Sequence, residues 1–375
     1  MKYILKLSVA VVFCFYTNLA YSQTLEEAKF LYVNGEYAKA LPVFENAVKK
    51  TPKNSSYNQW YGSCLLETGK FNESEKYLKF AASRNVQESF RSLGKLYFIL
   101  YKFKESEEAY EKYLVCLRKE KQIIEIETIE KLRDQSKDAA RMLDHCEDIQ
   151  IIDSVIVNKK NFLEKYGILS KESGTVFELD GIPVYENQLQ DKRYYAKLDD
   201  KKKYRLYSQT KLMNKWSDET LLKLPVDATG DDNYPFVLSD GVTIYYASTG
   251  LGSTGGYDLF VTRYNSGSET YFKPERLGMP FNSPYNDYML VIDEYNDVGY
   301  FATDRFQPEE QVVIYTFIPN KEKMTIQTED RNYLVDRAKI TSIKQSQKKG
   351  IDYKSKLLKI KTDQQESTEI IAKEF

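Results

Sequence analysis

A motif that returns at a nearly fixed spacing constrains this chain more than any other feature. The segment Gly35-Glu36-Tyr37-Ala38-Lys39-Ala40 recurs as Gly69-Lys70-Phe71-Asn72-Glu73-Ser74 after 34 residues, and as Tyr101-Lys102-Phe103-Lys104-Glu105-Ser106 after a further 32. Its flanks recur in step: Phe44, Leu78 and Tyr110 share one offset, Ala47, Ala81 and Tyr113 another, and Ala28, Gly62 and Gly94 mark a small position upstream. Pro52 closes the first unit. A unit of this length, with small residues where two helices cross and a larger one filling the gap, predicts stacked helical hairpins.

The pattern resembles the tetratricopeptide repeat family over residues 24–117, in three units. The resemblance implies a concave groove lined by the first helix of each unit. Carried onto this chain, the inward offsets select Lys29, Tyr32, Gln59, Ser63, Arg91, Lys95 and Phe98. Such a basic and aromatic lining suits an extended or helical peptide with acidic character. Leu25, Trp60, Glu88 and Ser92 stand where some relatives place the Lys and Asn that clamp a terminal carboxylate, so that mode of binding is not expected.

Residues 118–147 are rich in Glu, Lys, Ile and Leu without Gly or Pro, and are expected to form helices that cap the array and connect it onward. The texture changes at Ile149–Val157, where β-branched residues dominate and the helical period ends. Strands are expected at 175–179, 194–198, 204–209, 236–238, 243–247, 257–264, 289–292, 299–302 and 312–318. This rhythm, with Asp-Gly and Gly-Gly turns, indicates an all-β domain over 148–320.

Within it, Tyr234–Ser248, with its Asp240-Gly241 turn, leads to Gly255-Gly256-Tyr257-Asp258-Leu259-Phe260 and then Leu277–Ser283. Echoes stand at Arg193–Ala196 with Tyr204–Ser208, and at Gly299–Arg305. The arrangement looks like the WD40-like repeats of bacterial envelope proteins, the blade type of the TolB propeller. About three blades are recognisable, whereas a closed propeller needs at least four. Either strands within 151–185 supply the last blade or the ring is open. The expected fold class is therefore α+β multidomain: an N-terminal α-solenoid, then an all-β propeller-like domain. Residues 321–375 form a charged tail, with lysines at 348, 349, 354, 356, 359 and 361 around an apolar seam of Leu357, Leu358 and Ile360.

Lys2 and Lys6 precede the apolar run Leu7–Phe15, and Ala20-Tyr21-Ser22 supplies small residues for cleavage before Gln23. Residues 1–22 thus read as a secretory signal, and no transmembrane span is expected in the mature chain. Export leaves Cys64, Cys116 and Cys146, an odd count that argues against a disulfide framework, although Cys116 and Cys146 could pair if the connector folds back.

The sequence holds a single histidine, His145, placed to cap or follow a helix, and this removes most imidazole-dependent zinc and nucleophile chemistry. Asp227, Asp231, Asp232, Asp240 and Asp258 could in principle form paired carboxylates or calcium ligands, but their surroundings are those of hairpin turns. Leu251-Gly252-Ser253-Thr254-Gly255 lacks the first glycine of a nucleophile elbow. No cofactor is implied.

A formal net charge of −1 disfavours nucleic acid as a partner. Helical repeats followed by such blades are similar to the arrangement in envelope proteins of the Bacteroidota, and the resemblance implies a periplasmic or outer-membrane-associated, non-enzymatic scaffold that binds envelope proteins through the helical groove. The alternative is a carbohydrate- or peptidoglycan-binding module using Tyr234, Tyr257 and Tyr285; a propeller-type hydrolase comes third.

Overall fold

A computed structural model of the protein describes residues 24–225, 229–250 and 252–362; the signal segment, Asp227, Leu251 and the end of the tail lie outside the described residues. The chain is α+β. Seven helices come first: α1 (Leu25–Val33), α2 (Tyr37–Lys50), α3 (Ser55–Glu67), α4 (Phe71–Ala82), α5 (Gln87–Ile99), α6 (Phe103–Glu120) and α7 (Ile123–Asp144). They divide between two compact units that meet inside α5, one ending at Leu96 and the other beginning at Tyr97.

The first unit starts on a capping box, in which Thr24 Oγ1 accepts from the Glu27 amide and Glu27 returns a bond to the Thr24 amide. Its core joins Ala28, Ala40, Phe44, Val48, Tyr61, Cys64 and Leu65. Gly62 is small because a Cβ there would lie 2.9 Å from Leu78, and Ser74 Oγ donates to the Gly62 carbonyl at 2.7 Å across the same crossing. The repeat extends to the backbone. The residues preceding α2, α4 and α6, namely Glu36, Lys70 and Lys102, have φ/ψ of −82/52, −86/57 and −89/61. One position earlier Gly35, Gly69 and Tyr101 all adopt positive φ, at 78, 79 and 62. In the third turn a tyrosine replaces the glycine that this conformation favours.

The second unit explains the exchange. Tyr101 is buried with Phe103, Ala139, Ala140, Leu143, Cys146 and Met279, so its ring gains a core that outweighs the backbone strain. Gln135 Nε2 of α7 donates to the Ser253 and Thr254 carbonyls at 2.8 and 2.7 Å, fastening the helix to a β-domain loop. Exposed His145 follows α7 as its C-cap. Cys64, Cys116 and Cys146 are free thiols, so the Cys116–Cys146 pairing does not form.

Fifteen strands follow: β1 (Gln150–Asn158), β2 (Thr175–Leu179), β3 (Ile182–Glu186), β4 (Lys192–Leu198), β5 (Tyr204–Leu212), β6 (Lys215–Trp216), β7 (Thr220–Leu221), β8 (Asp232–Val237), β9 (Thr243–Ser248), β10 (Asp258–Asn265), β11 (Thr270–Tyr271), β12 (Glu275–Arg276), β13 (Asp287–Asp293), β14 (Val298–Thr303) and β15 (Gln311–Ile318). Among the described residues they form three open antiparallel sheets and no closed propeller. The first sheet runs β2-β3-β4-β5-β6 with β7 also on β5, the second β11-β10-β9-β8 with β12 also on β10, and the third β1-β15-β14-β13. All three contribute to one aromatic-rich core, including Val176, Tyr194, Phe236, Tyr246, Phe260, Val291, Tyr300 and Ile314.

Of the two alternatives left by the sequence, a last blade from residues 151–185 or an open arrangement, the described residues show open sheets and no such blade. β1 is spent on the third sheet, where Gln150 pairs with Ile318 and Asn158 with Gln311. A 3-10 helical segment, Lys159–Ile168, follows, and β2 already opens the first sheet. The Asp180-Gly181 turn between β2 and β3 has positive φ at both residues, as a tight hairpin requires. Gly255 is needed for close approach, since a Cβ would fall 2.2 Å from the Pro284 backbone.

The described part of the tail, up to residue 362, packs on the β-domain. Helix α8 (Arg331–Lys339) places Arg337 Nη2 2.8 Å from Asp148 Oδ1, Ser346 Oγ accepts from the Ile151 amide at 2.8 Å, and Ile360 of the apolar seam is buried in the shared core.

Candidate functional site

Two surfaces gather some of the residues singled out from sequence. On the helices of the first unit, Arg91 and Lys95 are exposed and lie four residues apart on α5, so they share a helical face. Lys95 Nζ donates to both Glu67 oxygens at 2.7 and 2.6 Å. Lys29 Nζ donates to Glu26 Oε1 at 2.7 Å and sits 5.1 Å from the Trp60 ring centre. Two expected groove cations are thus matched by carboxylates, and the face is less basic than its lysines suggest.

Gln59 and Ser63 do not line a surface. Both are buried: Gln59 Nε2 donates to the Tyr32 phenol and to Ser63 Oγ, each at 3.1 Å, and Ser63 Oγ lies 2.8 Å from Ser92 Oγ. These amide and hydroxyl groups satisfy one another between helices, which is how buried polar side chains are stabilised. Burial also raises the Tyr32 phenol above its ordinary pKa. Phe98 belongs to the second unit, where its ring centre is 5.3 Å from that of Phe103 in an edge contact.

The second surface is a cavity of about 320 Å³ in the β-domain, lined by Lys160, Phe162, Tyr204, Asn233, Tyr234 and Tyr257 among others. Local backbone geometry builds it. The register of β8 against β9 shifts between Asn233 and Phe236, and Tyr234 takes a positive φ of 55 while its amide donates to Asn233 Oδ1 at 2.8 Å. Tyr234 and Tyr257 meet edge to face at 5.8 Å, and Phe162 and Tyr288 approach Tyr234 at 5.9 and 5.6 Å. Lys159 Nζ stands 5.0 Å over Tyr288 and 3.1 Å from Asp304 Oδ2, to which Tyr288 also donates at 2.7 Å.

Desolvation raises the Tyr234 and Tyr257 phenols, the latter to about 12, so these two remain neutral donors at physiological pH. Tyr285 does not join them; its ring lies 5.1 Å from Phe306 and does not line the cavity. Sequence reading missed Lys160, Phe162 and Tyr204 as partners. The Lys159-Lys160 pair directly after β1 was the available signal, but its position depends on β1 joining the third sheet.

The aspartates are absorbed into the architecture. Asp240 Oδ1 accepts from the Val242 and Thr243 amides at 2.9 and 2.8 Å, closing the hairpin turn. Asp231 Oδ1 accepts from the Tyr204 amide at 3.0 Å. Asp232, Asp258 and Asp287 open β8, β10 and β13, and all three are buried. Asp258 Oδ2 accepts from the Thr254 amide and hydroxyl at 3.0 and 2.9 Å; Asp287 Oδ2 accepts from the Ser283 amide at 2.7 Å. Asp232 lies 3.5 Å from Arg205. At Asp258 and Asp287 the recurrent unit is a Thr or Ser four residues before the buried Asp, knitting a loop onto the next strand. Ser253 Oγ donates to the Thr249 carbonyl at 3.1 Å. Among the described residues no group of three or more His, Cys, Asp or Glu is placed to hold a metal ion, and no helix is long and apolar enough to cross a membrane.

No protein-family model matches the chain, and no curated protein matches it.

Proposed function

We propose that this chain is a non-catalytic protein–protein interaction scaffold of the bacterial cell envelope, built from helical repeats of the tetratricopeptide type and blades of the WD40-like, TolB type. The observation that carries the reading is the recurrence of one turn conformation ahead of α2, α4 and α6, with φ/ψ agreeing within about 10° at three sequence-related positions. A stack of equivalent hairpins displays a continuous helical face, the geometry by which solenoids hold peptide segments. The β-domain adds a rigid second surface. Pairing of its first strand with its last, Gln150 with Ile318, ties the two ends of that domain together. The secretory signal read from sequence gives the periplasm, or the periplasmic side of the outer membrane, as its place of work.

The use made of the aspartates supports a non-enzymatic role. Asp240, Asp258 and Asp287 each commit at least one carboxylate oxygen to backbone and hydroxyl donors of their own loops. A second reading rests on the cavity: Tyr234 and Tyr257 converge there with Lys160, a combination of aromatic surface and polar groups that suits a sugar ring.

Crosslinking in the native envelope followed by affinity purification tests the first reading. The tagged protein is compared with an Arg91→Ala/Lys95→Ala variant of unchanged circular dichroism. Envelope proteins recovered by the parent and lost in the variant support the scaffold. Recovery of peptidoglycan fragments alone, abolished by Tyr257→Ala, overturns it in favour of the cavity.

A further inference from the structure

At one end of the first sheet the chain accepts two unfavourable arrangements at the same residue. Strands β5 and β6 pair through Lys211 with Trp216 and Leu212 with Lys215, leaving Met213 and Asn214 as a two-residue turn. Both turn residues have positive φ, 47 and 64. Asparagine tolerates that conformation and glycine favours it, whereas methionine is strained. Met213 is also 101% exposed, and neighbouring Leu212 is 64% exposed. Nothing within the fold compensates for a strained backbone carrying an apolar side chain into water, and an outlier of this kind points outward to a function.

The surroundings identify what would meet it. The β3–β4 turn leaves the sheet at the same end, because Lys192 at the start of β4 pairs with Thr210 near the end of β5 and the Lys211 amide donates to the Asp191 carbonyl at 2.6 Å. Leu189 in that turn is 72% exposed. Behind these apolar tips, Lys192, Arg193, Lys211 and Lys215 outnumber Asp191, Asp218 and Glu186, the last of which stands opposite Arg193 in the β3–β4 register. Trp216 lies among the cations, 4.3 Å from the Arg193 guanidinium and 5.7 Å from Lys211 Nζ. Apolar points, then a ring of cations with an amphipathic indole, match the depth profile of a bilayer interface with anionic headgroups.

We propose that the two turns carrying Leu189 and Leu212–Met213 insert into an anionic lipid surface, with the lysines contacting headgroups and Trp216 at the interface. The contact is peripheral and reversible, and it would hold the β-domain against a membrane.

The chain has only two tryptophans, so Trp60→Phe leaves Trp216 as the sole reporter in the otherwise full chain. Its emission is followed with vesicles of equimolar phosphatidylglycerol and phosphatidylcholine, with phosphatidylcholine alone, and with brominated acyl chains. Expected are a blue shift and bromine quenching on the anionic vesicles, weaker with added salt and with phosphatidylcholine alone. Met213→Gly and Leu212→Ser should each weaken partitioning about tenfold, the scale of one buried apolar side chain. Met213→Gly suits the turn, so it should leave the melting temperature unchanged or higher while weakening binding; Met213→Asn, also tolerated at positive φ, is the second variant. An unshifted Trp216 emission on anionic vesicles, equal binding to both vesicle types, or partitioning unaffected by all three substitutions would overturn the proposal.

Discussion

Arg305 Nη2 lies 2.8 Å from Asp287 Oδ1 with both side chains fully buried. The guanidinium also donates to the Phe281 carbonyl at 2.9 Å, the Ala338 carbonyl at 3.3 Å and Thr303 Oγ1 at 3.2 Å. One side chain thereby joins the end of β14, the start of β13, the loop before it and the end of α8. Desolvating both charges is costly, and the pair is tolerable because nearly every donor is used.

Removing one partner strands the other. Arg305→Met should destabilise the second unit by about 3–5 kcal/mol by leaving Asp287 buried and uncompensated, and Arg305→Met/Asp287→Leu should recover much of the loss. Urea unfolding followed through Trp216 in the Trp60→Phe background measures both. Equal loss in the single and double variants would mean that the arginine acts by packing alone.

The three left-handed turn positions separate conformation from burial. Gly69, at φ 79, has open space where a Cβ would project, so Gly69→Ala should cost about 1 kcal/mol through the backbone alone. Tyr101→Gly supplies the favoured residue at φ 62 yet empties the core position, and should cost about 3–5 kcal/mol, as for other buried aromatics. Thermal unfolding of the two variants gives the ordering; a smaller loss for Tyr101→Gly would show that strain outweighs packing there.

The thiols should react in a fixed order. Cys64 and Cys146 are buried, and desolvation pushes each thiol up to about 12, whereas Cys116 is partly exposed. A chromogenic disulfide reagent should therefore label Cys116 in the native protein and the other two only on unfolding. Native protein lacking the Cys116 signal, with recovery after reduction, would mean that this cysteine is oxidised in solution.

How much of this was legible in sequence depended on the range of the interactions. The hairpin turns at Gly35, Gly69 and Tyr101 and the Asp240-Gly241 turn were readable because their geometry is set by adjacent residues. Eight of the nine expected strands overlap observed ones at both ends of their cores, and the ninth, 236–238, caught only the end of β8, since the β-bulge at Asn233–Phe236 interrupts its alternation. β3 was missed because Ile182-Pro183-Val184 carries a proline, which counts against a strand.

Long-range pairing was beyond reach. Nothing near Ile149 announces that β1 crosses to β15, about 160 residues away, and that pairing is what denies the domain a fourth blade. Likewise the helical offsets selected Gln59 and Ser63 by position on a helix, but their burial depends on which neighbours pack over α3. Tyr234 and Tyr257 were chosen as separate exposed aromatics; their meeting at one cavity follows from the second sheet, where β8 and β10 flank β9.

Asp258 makes stability depend on pH with a definite sign. Its side chain is buried, Oδ1 has no hydrogen-bond partner, and desolvation, reinforced by the nearby Asp287 charge, pushes the carboxyl up to about 7. Donors from Thr254 and the more distant Arg276 only partly oppose this. In the unfolded chain the group titrates near 3.9. Between about pH 4 and pH 7 the folded protein therefore holds a proton that the unfolded chain has released. The stabilisation is complete below about pH 4 and is lost as pH rises towards 7, at up to about 1.4 kcal/mol per pH unit. Asp258→Asn replaces the carboxyl with a group that stays neutral throughout. The unfolding free energy of wild type relative to this variant should fall across that window by as much as about 4 kcal/mol and level off above pH 7. Carboxylates not coupled to Asp258 titrate alike in both proteins and cancel in the difference. Parallel curves would mean that Asp258 is solvated or ion-paired in the folded state.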